Sequence, residues 1–114
     1  MGIFDIFWNF KAKVQLAKAI KMADDAHRQD GERYYVMPTT SGKLIVTDRK
    51  NFRILKSKHY IPQKATVKNL VDECFYCTPY KDGTGVLPDF VNKIKMQQYW
   101  AWVKHVRSKD DKKR

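Results

Sequence analysis

The chain has 114 residues, 43% of them hydrophobic and 13% aromatic, enough to give one domain a modest core. That content excludes a disordered chain, and two cysteines are too few for a disulfide scaffold. Twenty-three Lys and Arg against twelve Asp and Glu leave a formal net charge of +11, which favours polyanions as partners: nucleic acid, acidic protein or anionic lipid.

The excess is concentrated. Residues 33–64 hold eight basic side chains and one acidic, and residues 93–114 hold eight and two. A cationic surface is therefore expected from the middle of the chain and from its C-terminal part.

Residues 3–28 read as one long helix, free of Pro and Gly. Ile3, Phe7, Phe10, Val14 and Ala17 step by four and three, which is one helical face. Leu16, Ile20, Ala23 and His27 continue on a rotated face. The first ten residues are unusually aromatic, with Phe4, Phe7, Trp8 and Phe10. They fit a membrane-surface or partner-docking helix. The preferred expectation is that this end is covered, by its own domain or by a second copy, since soluble monomers avoid exposed apolar patches. The apolar run is too short to span a bilayer and lacks the basic start and small-residue cleavage site of a secretory signal. A reducing, cytoplasmic location is expected.

Arg33 to Asp48 contains two β-prone runs around the polar loop Thr39-Thr40-Ser41-Gly42. This is the pattern of a β-hairpin, with Gly42 free to take positive φ. Asp48 is a good N-cap for a short basic helix from Arg49 to Lys58. Phe52 and Leu55 are its inward anchors, and Pro62 lies just beyond.

Thr66 is a second N-cap candidate. Val67, Leu70, Val71, Cys74 and Phe75 follow helical spacing, yet residues 74–78 also read as a strand before Pro79. A short helix at 67–72 followed by a strand at 74–78 reconciles the two patterns. The strand would pair with the hairpin, and three strands are stable where an isolated hairpin is not. Lys81 to Gly85 is a turn; no Lys-Ser/Thr follows it to make a phosphate loop. Pro88 and Asp89 start a helix to about Arg107, with Phe90, Val91 and Ile94 inward near its start and Met96, Tyr99, Val103 and Val106 further along. Residues 108–114 are too charged to pack. The expected whole is a single α+β domain over residues 1–107 with a charged flexible tail. In it, long N- and C-terminal helices cover a small antiparallel sheet.

The chemistry-bearing patterns are few. Cys74-x-x-Cys77 supplies half of a zinc site. Asp72 and Glu73 precede it and disfavour a thiolate, so two buried, inert cysteines are the preferred reading. His27, His59 and His105 match no metal or catalytic spacing, and adjacent acids such as Asp24 and Asp25 point to different helix faces. No catalytic residue, cofactor or metal is expected. What remains is a basic-aromatic combination: Arg33, Lys43, Arg49, Lys50, Arg53, Lys56 and Lys58 around Tyr34, Tyr35 and Tyr60. Cations hold phosphates and aromatics stack on unpaired bases. The expected function is that of a small non-enzymatic nucleic-acid binder. The alternative is a structural or self-associating protein that uses Phe4, Phe7, Trp8 and Phe10.

Overall fold

The computed structural model describes residues 3–39, 41–59 and 70–112. Tyr35–Pro38 (β1) and Leu44–Thr47 (β2) form the antiparallel hairpin, with Val36 opposite Val46 and Met37 opposite Ile45. Thr39 closes the loop twice. Its N–H donates to the Lys43 carbonyl at 2.9 Å, and its hydroxyl donates to the same oxygen at 2.8 Å. Gly42 takes φ +84, the positive value the turn requires.

Tyr76–Cys77 (β3) pairs with the other edge of β1, so the sheet order is β2-β1-β3. The contact extends past the strand at both ends: Phe75 N–H donates to Val36 O at 2.8 Å and Thr78 N–H to Tyr34 O at 2.9 Å. The strand expected at 74–78 thus exists in shortened form, preceded by a helical turn at Leu70–Glu73 (α3). Thr66 and residues 67–69 of the expected helix lie outside the described residues, as does Tyr60.

Alternation sends side chains to two faces of this sheet. Val36, Leu44, Val46 and Tyr76 face a core formed with Ile3–Asp30 (α1) and Asp89–Lys112 (α4). Tyr35, Met37, Ile45 and Cys77 face a second core with Phe52, Leu70 and Cys74. The second layer is Arg49–Ser57 (α2) and α3. Asp48 caps α2 as expected, accepting from Asn51 N–H at 2.8 Å. Phe52 is fully buried beneath it, worth about 2–3 kcal/mol of apolar transfer.

Of the two faces expected for α1, the rotated one is inward at Leu16 and Ala23 and the aromatic one is not. Ala12, Leu16, Ala19 and Ala23 are buried, while Phe7 and Phe10 are 62% and 67% exposed. At 3.6 residues per turn the two sets lie on opposite sides of the helix. Small residues let α1 approach its neighbours closely, and Tyr99 of α4 reaches across to donate its hydroxyl to Ala12 O at 2.6 Å. In α4, Tyr99 and Val103 are inward as expected, but Phe90 and Ile94 are exposed. The inward position between them and Tyr99 belongs to Lys95, 3% exposed, whose ammonium donates to the carbonyls of Val71 and Cys74. The helix also continues to Lys112, beyond the end expected from its apolar pattern.

Candidate nucleic-acid interface

Helix α2 turns Phe52 inward and its cations outward. Arg49, Lys50, Arg53 and Lys58 are exposed and Lys56 is half-buried. Arg49, Arg53 and Lys56 share one face at i, i+4, i+7 spacing. Lys43 is exposed in the hairpin loop. Among the described residues, Lys43, Arg49, Lys50, Arg53 and Lys58 form no ion pair with a carboxylate. Arg49 and Lys50 occupy the first turn of α2, where the helix dipole repels cations, and no acid sits there. Each misplaced charge opposes the helix by about 0.3–1 kcal/mol at low salt. Helix stability therefore does not account for them.

The α2 cations have basic neighbours from other elements. Lys18 of α1 and Leu55 of α2 line one groove with Leu44, Ile45 and Val46, at the edge strand β2 between the two layers. At the hairpin end, Gly42 and Lys11 share a pocket with Trp102 and Val106 of α4. Lys11 and Arg107 both lie over the ring of Trp8, at 5.7 and 5.9 Å from its centre. Lys13 and Lys104 flank Phe10 and Trp100 in an adjoining groove. Cations thus occur on both layers, those of α2 on one side of the sheet and, interleaved with aromatics, Lys11, Lys13, Lys104 and Arg107 about the paired ends of α1 and α4 on the other. Lys11, Lys13, Lys18, Lys104 and Arg107 were not singled out from the sequence. Their signal, a basic-aromatic alternation within both long helices, was present but looked like ordinary amphipathic patterning.

Arg33 does not belong to this face. It is 7% exposed and points to the α2/α3 side of the sheet with Tyr35. Its Nη2 donates to Cys77 Sγ at 3.1 Å and to Gly85 O at 2.8 Å, and its guanidinium stacks over Tyr80 at 4.4 Å. The tyrosines are structural as well. Tyr35 is buried in the second core, and Tyr34 donates to Asp30 at 2.5 Å. Trp8 is half-buried under its two cations, Phe7 and Phe10 are exposed beside Ile6, and the Phe4 side chain lies outside the described residues.

The remaining candidates are quickly placed. His27 bonds Glu32 O at 2.8 Å and so helps close the end of α1. Residues 80–84 form a plain turn, Gly83 N–H to Tyr80 O at 2.9 Å, tied by Asp82 to Thr84. Among the described residues no three His, Cys, Asp or Glu side chains converge as metal ligands, and no helix is long and apolar enough to cross a membrane. Neither a protein-family model, nor a curated protein, nor a solved structure matches this chain.

Proposed function

We propose that the protein is a non-enzymatic binder of nucleic acid that grips phosphates with the cations of α2 and the hairpin loop. The observation that supports this reading most directly is the row of exposed cations on α2, Arg49, Lys50, Arg53 and Lys58, with Lys43 exposed in the hairpin loop. Their spread along a helix and a loop suits an extended phosphate backbone rather than a single bound phosphate. Trp8 and Trp100, set among the lysines, suit unpaired bases, which stack on aromatic faces.

The test is a salt titration with a generic single-stranded oligonucleotide. Five phosphate contacts give log Kobs a slope of about −3.5 against log salt. Reversing Arg53 and Lys50 to Glu should weaken binding and flatten that slope. Lys93→Glu, on the exposed start of α4, should change little. Absence of binding at low salt, or equal loss from Lys93→Glu, would overturn the reading.

A second reading rests on Ile6, Phe7 and Phe10, which are 61%, 62% and 67% exposed along one side of α1. Such a patch suits a protein partner or a second copy. Light scattering should then show an assembly that Phe7→Ser with Phe10→Ser reduces to a monomer. A wild-type monomer with no change in the double variant sinks the self-association form.

A further inference from the structure

Where the sequence pointed to two inert cysteines, the structure builds an electropositive nest. Cys74 is fully buried and Cys77 is partly exposed, both free thiols, and they pack together in the α2/α3-side core. Two separate elements direct positive charge at them, and a third holds one of the cations in place. Arg33, from the approach to β1, donates to Cys77 Sγ at 3.1 Å. The loop after β3 clamps that arginine, through Gly85 O at 2.8 Å and the Tyr80 ring at 4.4 Å. Lys95 of α4 is buried and bonds the carbonyl of Cys74 itself at 2.8 Å. Asp72 and Glu73, the acids expected to oppose a thiolate, are exposed to solvent instead.

The clamp leaves one group unanswered. Arg33 Nε is buried and has no hydrogen-bond partner, although the residue is 93% enclosed. A guanidinium held this deep, with no carboxylate bonded to it among the described residues and a donor to spare, favours ionisation of the sulfur next to it. The loop backbone comes close to the guanidinium: a Cβ at Gly85 would lie 2.9 Å from Arg33 Nη1 and 2.8 Å from the Tyr80 ring.

We propose that Cys77 and Cys74 are a redox-active dithiol, Cys77 the attacking sulfur and Cys74 the resolving one, with Arg33 positioning and stabilising the Cys77 thiolate. The oxidant class is a small disulfide, RSSR. The Cys77 thiolate attacks one sulfur of RSSR. A Cys77–S–S–R bond forms, the R–S–S–R bond breaks, and one RS⁻ leaves. Cys74 then passes its proton to the RS group leaving Cys77 as its own sulfur attacks Cys77 Sγ. The Cys74–Cys77 disulfide forms, the Cys77–S–R bond breaks and the second R group departs as RSH. Two electrons pass from the protein dithiol to RSSR, which ends as two thiols.

The direction of ionisation agrees with this division of roles. The neighbouring Cys74 thiol, followed by the Arg33 guanidinium, holds the Cys77 thiol well below its ordinary range; the Cys74 thiol itself donates to Val71 O at 3.4 Å. The same pairing with Cys77, together with burial, pushes Cys74 up. The titratable and charged groups around Cys77 are Arg33, Tyr35, Tyr76, Cys74 and Lys95, with Tyr80 behind Arg33. No carboxylate is among them. A low-pKa, partly exposed thiol beside a buried partner is the arrangement exchange chemistry requires.

The experiment treats the reduced native protein with excess 5,5′-dithiobis(2-nitrobenzoate), with absorbance and intact mass as readouts. Two equivalents of nitrothiobenzoate should be released rapidly, leaving a protein about 2 Da lighter with no adduct. Cys74→Ser should release one equivalent and keep a stable adduct on Cys77. Cys77→Ser should lose the rapid phase. Iodoacetamide alkylation of the native protein should follow a midpoint below the free-cysteine value of about 8.5. Arg33→Met should raise that midpoint and Arg33→Lys should raise it less. The midpoint is the diagnostic quantity because intrinsic nucleophilicity rises with pKa, with a Brønsted coefficient of about 0.4–0.5, so rates at neutral pH change less than the ionised fraction does. Circular dichroism checks that the variants are folded, and the mass of the wild type needs no variant at all. Adducts retained on both cysteines, release only after denaturation, or an alkylation midpoint at or above about 8.5 would each overturn the proposal.

Discussion

Gly42 and Gly83 hold nearly the same backbone angle, φ +84 and +83, in opposite surroundings. A Cβ at Gly83 meets nothing within 4 Å, whereas one at Gly42 would lie 3.1 Å from Val106 Cγ1. Gly83→Ala therefore reports the left-handed backbone alone, a loss of about 1–2 kcal/mol. Gly42→Ala adds crowding where the hairpin loop rests on α4, and its urea midpoint should fall further than that of Gly83→Ala. Equal midpoints would mean that loop and helix are not held together. Gly42 was readable as a turn residue from its neighbours in the chain; its seat against Val106 was not, because 64 positions separate them. Arg33 and Lys95 escaped for a related reason. Charged side chains are almost never fully buried unless paired, so a linear reading assigns them to the surface. Their partners, Cys77, Gly85 and the carbonyls of Val71 and Cys74, are supplied by distant chain.

At the scale of elements, what was legible was what is locally encoded. The hairpin follows from β-branched and aromatic runs around a glycine loop. Helix α2 follows from Asp48 and the position of Phe52. Removing the cap tests this directly: Asp48→Ala leaves Asn51 N–H without its acceptor and should cost about 1 kcal/mol, read from thermal or urea unfolding. If stability is unchanged, the cap contributes nothing and burial of Phe52 alone holds the helix. The long helices were found and their inward faces were read in part: Leu16 and Ala23 of α1 and Tyr99 and Val103 of α4 are buried as expected. In α1 the bulky stripe of Phe7 and Phe10 drew attention away from Ala12 and Ala19, whose smallness is what permits close packing. In α4 the inward stripe passes through Lys95, so the apolar pattern slipped to Phe90 and Ile94. The cations shared that fate in part: α2 was visible as a basic helix, while the meeting of Lys11 and Arg107 over Trp8 needed the pairing of α1 with α4.

For the molecule as a whole, buried phenols set an upper limit in pH. Burial pushes Tyr35 and Tyr99 up to about 12, and the hydrogen bond to Asp30 does the same for Tyr34. Tyr76 is also raised, by burial and by its bond to Asp24. In the unfolded chain these groups ionise near 10. A folded pKa above the unfolded one means that the stability these tyrosines lend is fully present below about pH 10 and is lost as pH climbs through about 12. Tyrosinate absorbance and loss of circular dichroism should rise together in that window. Tyrosines that titrate near pH 10 in a protein still folded would contradict their burial.

The sheet sits between two cores, and β1 is bonded on both margins and sends alternate side chains into each. It is the central strand between the layers, like a shared wall between two rooms. Heat that melts either layer strips β1 of half its support, so the other layer cannot outlast it. The protein should accordingly yield a single calorimetric peak, not two.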